Sequence, residues 1–118
     1  MPSESFIREF FEVFNQRQWD KMEDLFSPDA EFYFPKTQPL IGKDRISKFF
    51  KILFRQYPQL NFDIQRIIIQ GHQAAIHWTN QGKNKRDAPY ENEGVTIMEL
   101  MDGKIIFISD FFKDTEKF

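Results

Sequence analysis

Residues 60–112 constrain the fold of this chain most, because they form strand-like segments separated by short connections. Gly71 with His72, and Asp102 with Gly103, mark two tight turns. A polar loop over residues 82–89 separates the two middle segments. The predicted strands cover residues 60–70, 73–81, 90–101 and 103–112. Strands joined in this way pair with their neighbours, so the sequence predicts an antiparallel meander.

The first half of the chain shows a helical spacing of apolar residues instead. Ser3 is a suitable N-cap for a first helix, and Asp44 for a third helix that Pro58 ends. A short second helix is predicted over residues 19–26, and a short strand over residues 30–34 before Pro35. The apolar positions of the first and third helices are Phe6, Ile7, Phe10, Phe11, Val13, Phe14, Ile46, Phe49, Phe50, Leu53, Phe54 and Tyr57. Three helices combined with a meander are typical of an α+β fold.

The length and the aromatic content of the chain indicate what kind of interior it forms. A chain of 118 residues fits one domain, which we predict to span residues 1–118. Fifteen Phe, two Trp and three Tyr make the interior unusually aromatic. Such an interior is either a packed core or an aromatic-lined cavity for an apolar ligand, and composition does not choose between them.

Composition argues against several classes of function. The absence of cysteine excludes thiol nucleophiles and thiolate metal sites, and it permits a reducing compartment. A net charge of −2 disfavours nucleic-acid binding. No phosphate loop or zinc spacing occurs, so no cofactor or metal is expected. The first residues do not resemble a signal peptide, and no stretch has the length needed to span a bilayer; a cytoplasmic location without membrane contact is therefore expected.

Two groups of basic residues are predicted on the surface. The third helix carries Lys43, Lys48, Lys51 and Arg55 on its exposed side. The loop after the second strand of the meander carries Lys83, Lys85 and Arg86. A solvated helix face explains the first group more simply than a binding patch does. The loop residues either lie at the mouth of a site or keep the chain soluble.

The strands are apolar on both faces, which a sheet with one solvated face is not. Ile67, Ile68 and Ile69 are consecutive. Two further strands carry apolar residues at both parities: Val95, Ile97 and Met98 beside Thr96, and Ile105, Ile106, Phe107 and Ile108. Because the helices cover only one face, we expect Ile105 and Phe107 to face a second copy of the chain in a homodimer.

Several segments, taken in order, resemble the nuclear transport factor 2-like superfamily, and more closely its SnoaL-like branch. They cover residues 25–32, 40–44, 77–79 and 93–114, and they include the run Gly-Lys-Ile-Ile-Phe-Ile-Ser-Asp-Phe-Phe at residues 103–112. The resemblance implies a cone-shaped α+β barrel of the cystatin-like kind, with three N-terminal helices packed in a curved, mainly antiparallel sheet around a pocket. Its members include ketosteroid isomerase, limonene epoxide hydrolase, polyketide cyclases and non-catalytic modules, so the fold does not decide the function.

The catalytic groups of ketosteroid isomerase are not conserved at the matching positions. The base of that enzyme corresponds to Phe34, and its two oxyanion-hole groups correspond to about Phe10 and Thr96. None of the three has the side chain that the mechanism needs. The resemblance therefore does not imply steroid isomerisation.

The epoxide hydrolase and cyclase relatives carry an essential aspartate on the last strand, which Asp110 matches. The supporting arginine and second aspartate of the hydrolase fall at His77 and Thr79. Its water-holding tyrosine and asparagine fall at Phe32 and Phe34. Asp110 is thus the retained group, with His77 as a substitution.

The resemblance implies catalytic roles for Asp110 and His77. If Asp110 faces the cone with Ile108 and Phe112, desolvation raises its pKa and makes it an acid or base near neutral pH. Alternatively, Asp110 is structural and bonds a nearby backbone group or tyrosine hydroxyl. His77 is expected to point towards Asp110 and share a proton or polarise a substrate oxygen, unless it is a satisfied core histidine.

The remaining candidates are apolar and aromatic residues that would contact a ligand. They are Phe34, Phe54, Trp78, Thr96, Met98 and Phe112, and the further pocket candidates, which are core residues by default, are Phe10, Phe14, Trp19, Phe32 and Phe50. Together with Asp110 they predict a site for a small apolar or carbonyl-containing molecule, with isomerase, cyclase or hydrolase chemistry. The alternative is a non-catalytic ligand-binding or protein-interaction module on the same fold.

Overall fold

The three helices form where the apolar spacing predicts them, in a computed structural model that describes residues 3–115. They are α1 Glu4–Asn15, α2 Trp19–Asp24 and α3 Lys43–Gln56. Ser3 caps α1, because its hydroxyl accepts a hydrogen bond from the backbone N–H of Phe6 at 3.1 Å. None of the helices within this range is long and apolar enough to cross a membrane.

The strands form one curved, unclosed sheet. They are β1 Phe26–Tyr33, β2 Leu40–Ile41, β3 Asn61–Gln70, β4 Gln73–Lys83, β5 Pro89–Met101 and β6 Lys104–Phe112. Their order in the sheet is β2-β1-β6-β5-β4-β3. Neighbouring strands are antiparallel except for β1 and β6, which are parallel. The predicted α+β fold, with three helices packed on a mainly antiparallel sheet, is confirmed.

Two predicted boundaries are wrong for local reasons. The second helix ends at Asp24, and Phe26 already belongs to β1, where it is fully buried. The register of β1 against β6 shifts between Phe26 and Glu31, and this irregularity accommodates Pro28. The cap of α3 is Gly42, whose φ of 105° suits glycine, rather than Asp44, which lies in the first turn.

Phe107 faces outwards as predicted, but Ile105 does not. The register of β5 against β6 shifts between Glu99 and Leu100, so that Leu100 pairs with Ile105 and Glu99 pairs with Phe107. This extra residue in β6 reverses the parity of the strand. Ile105 is therefore completely buried in the core, and the prediction that it faces a second copy is wrong.

Phenylalanine rings fill the space between the helices and the inner face of the sheet. Phe14 of α1 packs edge-on against Phe50 and Phe54 of α3, with ring centroids 4.4 and 5.1 Å apart. Phe10 stacks on Phe14 at 5.5 Å and meets Phe26 of β1 at 6.0 Å. Aromatic packing of this kind adds to the burial of apolar area. The helices are thereby fixed against the strands that carry the candidate site.

Candidate functional site

An aromatic pocket lies between α1, α3 and the inner face of strands β3 to β6. Its lining residues are Phe10, Phe11, Phe14, Phe34, Phe50, Leu53, Phe62, Trp78, Thr96, Ile108, Asp110 and Phe112. The cavity between these side chains has a volume of only about 20 Å³. One water molecule needs nearly that much, so the rings leave little free space.

The rim of this pocket is formed by its three half-buried lining residues, Phe34, Asp110 and Phe112. The rings of Phe34 and Phe112 have their centroids 5.2 Å apart. Phe34 follows the end of β1, whereas Asp110 and Phe112 are alternate residues of β6 and share one face of the sheet. The most accessible part of the pocket therefore lies between two phenylalanine rings, beside a carboxyl group.

A short chain of hydrogen bonds holds Asp110. The indole Nε1–H of Trp78 donates to Thr96 Oγ1 at 2.8 Å, and the Thr96 hydroxyl donates to Asp110 Oδ1 at 2.6 Å. Thr96 and Asp110 are directly opposite each other on β5 and β6. Because Thr96 has one hydroxyl proton, accepting from Trp78 directs that proton towards Asp110. The second carboxyl oxygen, Oδ2, makes no hydrogen bond within residues 3–115.

The apolar surroundings of Asp110 change its acidity. Desolvation among the rings raises its pKa from an ordinary 3.8 to about 7. The hydrogen bond from Thr96 favours the carboxylate and opposes this rise, but it is the weaker of the two effects. Both protonation states are consequently populated near neutral pH, as a general acid or base requires.

Gly94 allows Trp78 to reach Thr96. Trp78 and Gly94 are opposite each other on β4 and β5. A Cβ atom at residue 94 would lie 2.8 Å from Cη2 of Trp78, 2.7 Å from Cβ of Phe112 and 2.3 Å from the carbonyl oxygen of Phe111. Only glycine leaves space for the indole ring to lie across β5 at this point.

The predicted ligand-contacting residues divide into two groups. Phe34, Trp78, Thr96 and Phe112 line the pocket together with Asp110. Phe54 and Met98 do not line it, and both pack elsewhere in the core. Phe54 packs on Phe14 and Trp19, and the guanidinium of Arg17 lies 4.2 Å from the centre of its ring. Met98 is completely buried beside Ile108, its partner in the register of β5 and β6.

His77 does not point towards Asp110, and that prediction is wrong. It alternates with the buried residues Ile76 and Trp78 of β4, so its side chain lies on the outer face of the sheet. There His77 Nε2 bonds a carboxyl oxygen of Glu93, and Lys113 Nζ lies 2.8 Å from the other oxygen. Lys113, and to a lesser extent His77, lower the pKa of Glu93. His77 thus belongs to a separate surface cluster.

Four lining residues were absent from the sequence-based candidates: Phe11, Leu53, Phe62 and Ile108. Helical spacing could have identified two of them, because Phe11 and Leu53 each lie three residues from a lining phenylalanine, Phe14 or Phe50. Phe62 lies on β3, and its ring packs on Trp78 with the ring centroids 4.9 Å apart, a contact that follows only from the tertiary structure. No group of three His, Asp or Glu side chains within residues 3–115 is arranged to hold a metal ion.

Three solved structures show the same fold at low sequence identity. An NTF2-like protein of unknown function from Burkholderia pseudomallei is 16% identical, with a TM-score of 0.87 over 96% of this chain and 92% of that chain. A protein assigned as a SnoaL-like polyketide cyclase from Jannaschia is 19% identical, with a TM-score of 0.79 over 96% and 89%. TerC, co-crystallised with polyporic acid, is 18% identical, with a TM-score of 0.83 over 92% and 89%.

A family model gives the relationship more directly than these structures do. No curated protein sequence matches this chain significantly. The model of the SnoaL-like domain, however, matches residues 7–108, which contain most of α1, all elements from α2 to β5 and the first half of β6. The matched range covers most of the 118 residues. The chain therefore belongs to the SnoaL-like family.

Proposed function

We propose that this protein binds a small, flat, apolar molecule with a carbonyl group, and that Asp110 transfers a proton to or from it. The proposal rests on the environment of the Asp110 carboxyl group. One of its oxygens accepts a hydrogen bond from Thr96, and the aromatic rings around it exclude water. A pKa near 7 makes this group an effective acid or base at neutral pH.

The shape of the pocket supports a flat ligand. Its walls are phenylalanine and tryptophan rings, and polar side chains contribute only Thr96 and Asp110 to its lining. Because the free space is small, a ligand has to displace the rings of Phe34 and Phe112 at the rim. A flat molecule can take the place of one of these rings with the smallest disturbance of the neighbouring rings. The polyporic acid bound to TerC is one suitable probe.

The chemistry that fits this arrangement is proton transfer at the carbon atom beside a carbonyl group. The carboxylate of Asp110 takes the proton through Oδ2, and the resulting acid returns it at another atom of the ligand. Such a step underlies isomerisation and cyclisation, which both belong to the range of reactions that the pocket allows. The hydrogen bond from Thr96 keeps Oδ2 directed at the reacting atom.

Proton transfer can be measured without knowledge of the natural substrate. Aromatic ketones and polyporic acid are first screened for binding through the indole N–H signal of Trp78, with the Trp19 signal as an internal control. For a ketone that binds, we expect deuterium from solvent to enter the carbon beside the carbonyl. Asp110→Asn should slow this exchange at least about 100-fold, the usual contribution of a general base. Asp63→Asn, on the exposed outer face of β3, should leave it unchanged.

The alternative function is a non-catalytic interaction module, and the small free volume of the pocket favours it. In that case no compound perturbs the Trp78 signal, and Asp110→Asn changes stability alone. Equal exchange rates for the wild type and Asp110→Asn would exclude Asp110 as the base, even if ligands bind.

We further propose that the outer face of the sheet binds a second copy of the chain. Ile68 and Phe111 are 65% and 59% exposed on this face, and both lie on strands that enclose the half-buried Val95 and Ile97. Ile68, Ala75 and Ile97 form one continuous row across β3, β4 and β5. A contiguous apolar surface of this kind usually marks an interface.

The dimer is tested by light scattering at micromolar concentration. We expect the wild type to have twice the mass of the chain, and Ile68→Asp combined with Phe111→Asp to be monomeric. The matched control is Ile52→Asp, which alters an isoleucine that is 48% exposed on α3, outside the sheet. A wild type that is monomeric throughout this concentration range would contradict the proposed interface.

A further inference from the structure

The structure brings the two basic groups of the sequence together on one surface. Lys85 of the loop between β4 and β5 donates its backbone N–H to the carbonyl of Gln56, the last residue of α3, at 2.9 Å. The loop therefore lies at the C-terminal end of the helix. The combined surface consists of Arg45, Lys48, Lys51, Arg55, Lys85 and Arg86, all of them exposed. We call this set the basic surface.

The charges of the basic surface are not neutralised. None of its six side chains pairs with a carboxylate within residues 3–115; the ion pair of the loop joins Lys83 and Asp87 instead. The single acidic residue of α3 is Asp44, which lies in the first turn, where the helix dipole favours a negative charge. Asp44 is four residues before Lys48 but forms no ion pair with it within residues 3–115. An ordinary solvated helix face carries charges of both signs along its length. Beyond Asp44, the exposed side of α3 carries cations without an acidic neighbour on the same helix.

The like charges oppose the folding of α3. Lys51 and Arg55 are four residues apart, and Arg45, Lys48 and Lys51 follow one another at intervals of three. Cations at these spacings are neighbours on the helix surface and repel each other. The chain as a whole carries a net charge of −2, so this concentration of cations does not reflect a basic protein. A binding role explains an arrangement that stability alone disfavours.

We propose that the basic surface binds an extended acidic segment of a partner protein. The cations of α3 span eleven residues, from Arg45 to Arg55, or about 15 Å along the helix axis, which an extended chain covers with about five residues. Alternate side chains of such a chain are about 6.6 Å apart, close to the separation of helix side chains at intervals of three and four. Carboxylates at alternate positions can therefore meet Lys48, Lys51 and Arg55.

The centre of the basic surface favours a protein segment over other polyanions. Ile52 is 48% exposed and lies between Lys48 and Arg55 on the same face of α3. An apolar side chain at this place can contact an apolar residue of a peptide, whereas a phosphodiester backbone has no apolar group for it to contact.

The test uses a fluorescent nine-residue peptide in which Glu alternates with Leu and Ser. We expect Lys48→Gln combined with Lys51→Gln and Arg55→Gln to weaken its binding at least about 10-fold in 50 mM salt, while the melting temperature stays equal or rises because repulsion is relieved. Salt at 300 mM should weaken binding to the wild type several-fold. The matched control neutralises three other exposed cations, Arg8, Lys21 and Lys104, and should retain the affinity within about twofold.

Three results would overturn the proposal. One is unchanged peptide binding by the triple variant of α3, and another is an equal loss of binding in the control. The third is a single-stranded oligonucleotide, or vesicles rich in phosphatidylserine, that bind the wild type more tightly than the peptide and depend on the same three cations. Tighter binding of the oligonucleotide would indicate that the basic surface binds nucleic acid, and tighter binding of the vesicles would indicate that it binds a membrane.

Discussion

Asp110→Asn is expected to stabilise the protein above neutral pH. Asn has the shape of the protonated acid and can still accept the hydrogen bond of Thr96 through its side-chain oxygen. It removes the need to hold a desolvated carboxylate among aromatic rings. At pH 8 we expect the free energy of unfolding to rise by about 2–4 kcal/mol, the range that corresponds to a pKa shift of about three units.

The pH dependence of this gain follows from the direction of the pKa shift. The folded protein releases the proton of Asp110 near pH 7, whereas the unfolded chain releases it near its ordinary pKa of 3.8. The folded state therefore binds more protons between these values, and its stability falls as the pH rises through this window. The gain in the free energy of unfolding from Asp110→Asn should be absent below about pH 4, increase up to about pH 7 and then stay constant.

Urea denaturation of both proteins between pH 4 and pH 8 measures this effect. At each pH, the free energy of unfolding of the wild type is subtracted from that of Asp110→Asn. This subtraction cancels the contributions of all other titrating groups, provided that the urea m-values agree. Asp63→Asn, which changes an exposed carboxylate on β3, should alter stability by less than about 0.5 kcal/mol throughout. A constant difference between wild type and Asp110→Asn across the range would show that Asp110 is an ordinary solvated carboxylate.

Gly94→Ala is expected to have the second large effect, in the opposite direction. The new Cβ atom would lie 2.3 Å from the backbone carbonyl oxygen of Phe111, which cannot move without a shift of β6. It would also push the Trp78 ring away from Thr96 and break the hydrogen bond that orients the hydroxyl towards Asp110. We expect a loss of about 3 kcal/mol or more in the free energy of unfolding, at the upper end of overpacking costs.

The matched control for this substitution is Gly71→Ala. No atom lies within 4 Å of a Cβ placed at residue 71, so that its cost comes only from the positive φ of 60° and should be about 1 kcal/mol. Chemical denaturation monitored by tryptophan fluorescence compares the two variants. Equal losses at both positions would mean that Trp78 does not depend on the space beside Gly94.

The order of helices and strands was predictable because each element carries its own periodic signal. The apolar spacing of α1 and α3 and the turns at Gly71 and Gly103 require no knowledge of tertiary contacts. The position of Ile105 was not predictable in this way. Its burial depends on a register shift between β5 and β6, and a single extra residue reverses the face of every position that follows.

The candidate site was predictable at Asp110, because one carboxylate in an apolar strand needs a specific environment. The pairing of Asp110 with His77 was not consistent with the pocket predicted beside it. His77 and Trp78 are consecutive residues of β4, and successive side chains of a strand point to opposite faces. Once Trp78 lies in the pocket, His77 lies outside it. The hydrogen bond from Thr96, by contrast, follows only from the cross-strand register.

The proposed site combines one carboxyl group with few other polar side chains. Asp110 is directed by Thr96, which is directed in turn by Trp78, and the remaining lining is apolar. Such an environment supports proton transfer but offers a developing oxyanion few hydrogen-bond donors. We therefore expect chemistry on ligands whose charge is delocalised over a flat ring system, since these need less stabilisation by the protein.

The ionisation of Asp110 is measured most directly by a titration of its side-chain carboxyl carbon in ¹³C NMR, assigned by comparison with Asp110→Asn. We expect a single transition near pH 7, and a transition at still higher pH in Thr96→Val, which removes the hydrogen bond that favours the carboxylate. A transition near pH 4, unchanged in Thr96→Val, would contradict this expectation, because Asp110 would then be solvated and fully ionised at neutral pH.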